Sequence, residues 1–295
     1  MLKKLLHPTN RRVRVFVGLL LAGLFCIQCT QSVSVGGASK LEKTSTATAG
    51  DKIEKLARED HIALLEMCLK NYDENYSDYT CTLIKQEVIR GTQKPEQWMN
   101  VKFADKPFSV AMRWLDKTPK GALPNDQVKK LYIPMGDRIL YIEGQYDNKM
   151  VIRISNPLLR GLLGTQKRPP DGADAMKNTL RPVSLFGFKR GINSLLGVYR
   201  DAAKKGDLKQ EFGGYVNVAG RDAIVLLRYL PAKAEYPAKK TEICIDLETL
   251  VPIRIQGFDW DGQCTSRYVY KDIKFNVGLE KSAFTPKANE IADPK

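Results

Sequence analysis

Hydrophobic and polar residues alternate most regularly between residues 241 and 276. Ile243, Ile245 and Leu247 alternate with polar neighbours, which is the period of two expected for a strand with one buried face. The same alternation returns twice before residue 276, each time after a turn-forming segment. This stretch predicts three consecutive antiparallel strands, and such a sheet needs further elements to cover its apolar face.

Alternation also predicts strands in the rest of the chain. Their ranges are 77–90, 96–104, 107–114, 137–143, 149–154, 215–218 and 222–230. One of them places four large apolar side chains on a single face: Phe108, Val110, Met112 and Trp114. About five strands therefore precede the middle of the chain and about five follow it.

Two segments repeat apolar residues every three or four positions, which is typical of a helix with one buried face. The first covers residues 51–72 and the second covers residues 189–203. The second helix has its apolar face formed mainly by Ile192, Leu195, Leu196 and Tyr199. It is followed by Gly206, as expected for a helix end.

These elements predict a mainly β (α+β) fold with a single large antiparallel sheet. About ten antiparallel strands curl strongly, because flat open sheets of this size are unusual. We therefore expect a strongly curved sheet or an incomplete β-barrel, with the amphipathic helices covering its concave face. Such an arrangement would enclose an apolar cavity.

The N-terminal segment predicts export from the cytoplasm. Residues 1–14 are basic, and residues 15–27 form an uncharged apolar run of signal-peptide length, shorter than the ~20 residues needed to span a bilayer. We interpret residues 1–38 as a signal peptide or an N-terminal anchor, with lipidation as an open alternative. Residues 39–52 are expected to be a flexible linker and 53–290 a single domain, located in the periplasm or cell envelope.

Charge and catalytic residue types argue against two classes of function. The formal net charge of +14 is spread thinly, without a basic block interleaved with aromatic residues, so we expect no nucleic-acid partner. Only two histidines occur, His7 and His61, and we expect His61 to be solvated or to cap a helix. Asp259 and Asp261 are explained by turn chemistry. We expect no enzyme, no cofactor and no metal site.

Four cysteines lie downstream of the N-terminal segment. Cys68, late in a predicted helix, and Cys81, early in a strand, form a candidate disulfide in an oxidising compartment. Cys244 and Cys264 lie on the first and third strands of one meander, about 9–10 Å apart, beyond the ~7 Å limit for a bridge. We expect these two not to pair.

Several strand segments resemble the LolA/LolB superfamily of outer-membrane lipoprotein carriers, and most closely an uncharacterised domain-of-unknown-function branch of it. The similar segments are 76–87 (YSDYTCTLIKQE), 106–110 (KPFSV), 141–144 (YIEG), 218–221 (VAGR), 251–255 (VPIRI), 268–276 (YVYKDIKFN) and 283–286 (AFTP). The resemblance covers residues 55–287. It implies an incomplete barrel, lidded by helices, that shields acyl chains in the periplasm. This chain is longer at 155–190 and lacks a counterpart of the arginine thought to gate release in the carriers.

The resulting hypothesis is an exported protein that binds a lipid or an acylated protein, with envelope membrane proteins as further candidate partners. The predicted lining and lid of its cavity are Phe108, Val110, Met112, Trp114, Ile192, Leu195, Leu196 and Tyr199. Three alternatives stay open: the same residues as a sealed core, an envelope sensor or interaction protein on the same fold, and an enzyme that acts on envelope lipids or glycans through Asp259 and Asp261.

Overall fold

The computed structural model describes residues 49–294, and these contain one antiparallel sheet of twelve strands. The strands are β1 (Asp78–Ile89), β2 (Thr92–Gln93), β3 (Gln97–Asp105), β4 (Phe108–Trp114), β5 (Gly136–Ile142), β6 (Met150–Ile154), β7 (Gln166–Arg168), β8 (Lys209–Val218), β9 (Arg221–Tyr229), β10 (Lys240–Asp246), β11 (Pro252–Phe258) and β12 (Cys264–Phe275).

Two meanders meet in the middle of this sheet. The strand order is β7-β6-β5-β4-β3-β1-β12-β11-β10-β9-β8, with β2 paired to β1. The long strands β1 and β12 join the two halves, with Leu83 opposite Tyr270. The outermost strands β7 and β8 do not pair with each other, so the sheet is open and curved rather than a closed barrel. The predicted fold class is confirmed.

Five α-helices accompany the sheet within residues 49–294. They are α1 (Ala49–Glu59), α2 (His61–Asn75), α3 (Pro157–Leu163), α4 (Ala173–Met176) and α5 (Phe188–Lys204). The single helix predicted over 51–72 is two helices, because Asp60 has an extended φ of −151° and its side chain accepts a hydrogen bond from the Ala63 backbone N–H. Helix α1 begins at Ala49, within the range predicted as linker, 39–52.

Helices α1, α2 and α5 pack on one face of the sheet, here called the helix face. Their buried residues and alternate residues of the strands form the main core of the protein. The opposite, outer face is partly covered by the C-terminal segment, where Phe284 and Ile291 pack against Leu140 and Val151. The prediction did not include this C-terminal cover.

Strand β8 is longer than predicted because it contains a bulge. It begins at Lys209 rather than at residue 215, and its register with β9 shifts between Phe212 and Tyr215. Gly213 fits there because a Cβ atom would lie 2.7 Å from a Val225 methyl carbon. The bulge interrupts the alternation on which the prediction depended.

The predicted signal peptide or anchor, residues 1–38, and the linker up to residue 48 lie outside the described residues. None of the helices between residues 49 and 294 is long and apolar enough to cross a membrane.

Candidate functional site

The eight predicted lining residues all lie in the main core, here called the apolar layer, to which both α5 and the helix face of the sheet contribute. The four residues of β4 project from the same face of that strand, and the four residues of α5 lie at helical spacing. All eight belong to the main core, and Met112 and Trp114 are the most exposed of them at 9% each. Their predicted role as a ligand-binding lining stays a prediction.

An aromatic cluster fixes the beginning of α5 on the sheet. The Phe188 ring lies 4.8 Å from the rings of both Tyr79 and Tyr270, and Phe103 stacks on Tyr79 at 4.8 Å. Gly187, the residue before Phe188, has a φ of 99°, a backbone conformation that favours glycine. A Cβ atom at this position would lie 2.7 Å from the Phe103 ring. Sequence reasoning missed these aromatic residues, although Tyr79 stands in a predicted strand.

The far end of α5 carries a buried polar chain. His61 is fully buried, which corrects the prediction that it is solvated or caps a helix. Its Nε2 lies 2.8 Å from the Ala57 carbonyl oxygen and therefore donates, so its Nδ1 accepts a 3.1 Å hydrogen bond from the Tyr199 hydroxyl. Burial lowers the pKa of His61 and favours this neutral form.

Arg228 on β9 lies beside this chain. It stands opposite Thr241 on β10, and its Nη2 donates a 2.7 Å hydrogen bond to the Thr241 hydroxyl. Its guanidinium carbon lies 5.0 Å from the centre of the Tyr199 ring, a cation–π contact that places Arg228 under α5. The apolar layer therefore has a cationic group at one end.

A second polar group closes the layer near Tyr268. The Tyr268 hydroxyl donates to Glu87 at 2.5 Å, and Lys85 pairs with the same carboxylate at 3.1 Å. The exposed Arg181 lies 5.7 Å from the Tyr268 ring. Both Tyr268 and Glu87 are buried. This group therefore contains one buried ion pair, between Lys85 and Glu87, and Arg181 lies next to it on the solvent side.

The segment 155–190 exposes leucines at the rim. Leu158 is 85% exposed and Leu162 is 80% exposed, one turn apart on α3. The segment has seven Lys or Arg residues and two Asp residues. It is therefore both apolar and basic.

A cavity of about 400 Å³ with a mixed polar and apolar lining lies on the outer face rather than under α5. Its wall includes Glu290, which accepts a 2.7 Å hydrogen bond from Arg138 and also contacts Arg113 and Arg153 at 3.4 and 3.7 Å. The pKa of Glu290 is lowered, first by its hydrogen bond from Arg138. This cavity is not the apolar cavity that the sequence predicted.

The predicted Cys68–Cys81 disulfide is absent, and the four cysteines of the described part, at 68, 81, 244 and 264, are free thiols. Cys68 lies about two turns before the end of α2 and Cys81 lies inside β1, so both are directed into the core at separate positions. Burial raises the pKa of Cys68 to about 12.

The carboxylates considered for catalysis serve a turn. Asp259 accepts hydrogen bonds from the backbone N–H groups of Asp261 and Gln263. In the described part of the chain, no group of three or more His, Cys, Asp or Glu side chains is placed to hold a metal ion.

The family described as "Protein of unknown function (DUF1571)" matches residues 76–292. The chain belongs to this family. The predicted domain-of-unknown-function branch is therefore confirmed. No curated protein matches the sequence.

Solved structures with a similar fold include a LolA superfamily protein, as the resemblance predicted. The MucA/MucB complex from Pseudomonas aeruginosa is 14% identical, with a TM-score of 0.41 over 77% of this chain and 61% of that chain. The lipoprotein LppX from Mycobacterium tuberculosis is 10% identical, with a TM-score of 0.41 over 74% and 96%. The LolA superfamily protein from Nitrosomonas europaea is 9% identical, with a TM-score of 0.28 over 76% and 98%. At these values the likenesses carry no argument about what this chain binds.

Proposed function

We propose that this protein binds the acyl chains of a lipid or of an acylated protein between α5 and the helix face of the sheet. The supporting observation is the continuous apolar layer at this position. Helix α5 contributes six buried residues to the core: Phe188, Ile192, Leu195, Leu196, Tyr199 and Ala202. The protein acts in this proposal by sequestration, without converting its ligand.

Binding requires α5 to move away from the sheet, because side chains fill the layer. An acyl chain of about a dozen carbons contributes about 10 kcal/mol when buried, at about 0.8 kcal/mol per CH₂. The five large buried side chains of α5 lose about 8–15 kcal/mol of stabilising free energy when they leave the core, at about 1.5–3 kcal/mol each. The two terms are of the same size, so an acyl chain can replace the contacts that hold α5.

Three tryptophans allow a position-specific test. Trp114 lies in the proposed acyl layer, Trp98 is buried on the outer face with Ile84 and Leu131, and Trp260 is partly exposed. In a Trp98→Phe, Trp260→Phe double variant of the full chain, we expect brominated phospholipid or brominated fatty acid to quench the fluorescence of Trp114.

The matched control keeps Trp98 and replaces Trp114 and Trp260 by phenylalanine. We expect its fluorescence to be unchanged by the same probes, since the sheet separates Trp98 from the acyl layer. Far-ultraviolet circular dichroism must show that both variants are folded. Equal quenching of both, or quenching of neither, would contradict the proposal.

We place this activity in the periplasm or cell envelope. The support is the predicted signal peptide or anchor at residues 1–38. Cell fractionation of the full chain, and of a variant with Arg11, Arg12 and Arg14 replaced by glutamate, tests the assignment. Recovery of the unaltered chain in the cytoplasm would contradict it.

A second candidate is an interaction protein of the envelope, favoured by the exposed leucines of α3. A partner with an acidic and apolar surface would complement Leu158, Leu162 and the basic excess of residues 155–190. Photocrosslinking from position 162 in intact cells tests this candidate, with position 277, an exposed valine outside the segment, as the control. A crosslinked protein together with unquenched Trp114 would favour it over lipid binding.

A further inference from the structure

Arg228 is the most deeply buried arginine among residues 49–294, at 2% exposure. Its described hydrogen bonding consists of the single bond to Thr241, and its Nε and Nη1 atoms have no hydrogen-bond partner among the described residues. A guanidinium carries five N–H donors, of which three belong to these two nitrogens. Three donors of a buried cation are therefore left without an acceptor.

Arg228 also lacks a counter-ion in the part of the chain that the structure describes. No carboxylate oxygen there lies within 4.0 Å of its guanidinium nitrogens. The other buried arginine, Arg138, is paired with both Asp137 and Glu290. Burying an unpaired charge is strongly unfavourable, so an anion that pairs with Arg228 would remove a large energetic penalty.

The surroundings of Arg228 disfavour its positive charge in the absence of an anion. Burial lowers the pKa of Arg228, Tyr199 opposes this effect, and the nearby charge of Arg181 lowers the pKa further, so a bound anion would offset both unfavourable effects. Glu87, the carboxylate beside Arg181 and Tyr268, is already paired with Lys85. An anion at this end would therefore meet one buried and one solvent-facing arginine.

We propose that Arg228 binds the anionic group of the acyl ligand, a carboxylate or a phosphate ester, at the end of the layer beneath Tyr199. The anionic oxygens accept from the free N–H groups of Arg228, and Arg181 lies on the solvent side. The acyl chain then runs along α5 from Tyr199 towards Phe188, a distance of about 16 Å. This inference rests on the proposed function, since the acyl chain occupies the same layer.

The test compares charged and uncharged ligands on the full chain. Quenching titrations use three probes with the same brominated chain: stearate, stearyl alcohol and lysophosphatidate. We expect the unaltered protein to bind stearate or lysophosphatidate more tightly than the alcohol. The Arg228→Gln variant should lose about tenfold or more in affinity for the anionic probe and keep its affinity for the alcohol. The probe that loses more identifies the carboxylate or the phosphate as the recognised group.

Two further variants separate binding from folding. Arg113→Gln removes an exposed arginine of the outer face that pairs with Glu290, and it should leave all three affinities unchanged. Arg228→Lys keeps a positive charge and should keep part of the preference for the anion. In the ligand-free state, Arg228→Gln should be at least as resistant to urea as the unaltered protein, because it removes an unpaired buried charge.

The outcomes distinguish this inference from the proposed function. If the unaltered protein binds the alcohol and the anions equally, and Arg228→Gln does the same, acyl binding stands and the anion site is overturned. An equal loss of all three probes in Arg228→Gln overturns it as well, since Arg228 would then be structural. If no probe binds the unaltered protein, the proposed function and this inference both fail.

Discussion

Phe188→Ala is the sharpest test of how α5 is held on the sheet. Phe188 is 2% exposed, and its ring has four aromatic neighbours at 4.8 to 6.2 Å: Tyr79, Tyr270, Phe275 and Tyr72. Replacing a buried phenylalanine by alanine costs about 3–5 kcal/mol. Each well-placed aromatic pair adds about 0.5–1.5 kcal/mol. We therefore expect a loss near the upper end of the first range.

Urea denaturation followed by circular dichroism measures this free energy of unfolding. Leu185→Ala, at a residue that is 47% exposed and close to Phe188 in sequence, is the matched control and should change it by less than about 0.5 kcal/mol. A loss below about 1 kcal/mol for Phe188→Ala would refute the aromatic anchoring of α5.

Amide hydrogen exchange on the same variant shows whether α5 is a separable lid. If it is, Phe188→Ala should lower the protection of α5 far more than that of β1 and β12. The central strands keep their own hydrogen-bonded neighbours on both sides, so they need not open with the helix. Equal loss of protection in all three elements would mean that α5 opens only when the whole domain unfolds.

Two further predictions concern titratable groups. Burial lowers the pKa of His61 in the folded chain. Below about pH 6.5, the unfolded chain therefore binds a proton at this histidine that the folded chain does not bind. The free energy of unfolding consequently falls on acidification, by about 1.4 kcal/mol per unit of pKa difference between the two states. Between about pH 5 and 7, the melting temperature of His61→Gln should depend less on pH than that of the unaltered protein. The same pH dependence in both proteins would contradict the buried neutral histidine. Of the four cysteines in residues 49–294, the partly exposed Cys264 should react with iodoacetamide in the native protein. The other three, Cys68, Cys81 and Cys244, should stay unmodified, because burial raises the pKa of their thiols. Non-reducing peptide mapping should find Cys68 and Cys81 unlinked, and a linked peptide would restore the disulfide predicted from sequence.

Local patterns predicted most of the fold because large apolar side chains gather on one face of each main element. The alternation at Phe108, Val110, Met112 and Trp114 identified the side of β4 that belongs to the main core, and the spacing of Ile192, Leu195 and Leu196 did the same for α5. Each pattern is a direct consequence of strand or helix geometry against an apolar layer.

Contacts between distant residues could not be predicted in this way. His61 looked like a surface or capping residue, but Tyr199, 138 positions away, supplies its buried hydrogen bond. Arg228 stands in a predicted strand, and nothing in its neighbourhood in sequence shows that no carboxylate meets it. The C-terminal cover of the outer face was missed for the same reason, since its residues have no strong periodicity of their own.

The two faces of the sheet are held by different interactions, and this difference bears on which face the proposed acyl ligand would enter. On the outer face, Glu290 is fixed by hydrogen bonds and ion pairs with Arg113, Arg138 and Arg153, which are directional and which an acyl chain cannot replace.

On the helix face, α5 is held chiefly by apolar contacts. Its ion pairs from Lys189, Arg190 and Arg200 involve partly or well exposed side chains and are worth about 0–1 kcal/mol each. Apolar contacts are non-directional, so a methylene chain can substitute for them at little cost. The proposed function therefore places the acyl ligand on the face where Arg228 keeps its unpaired charge.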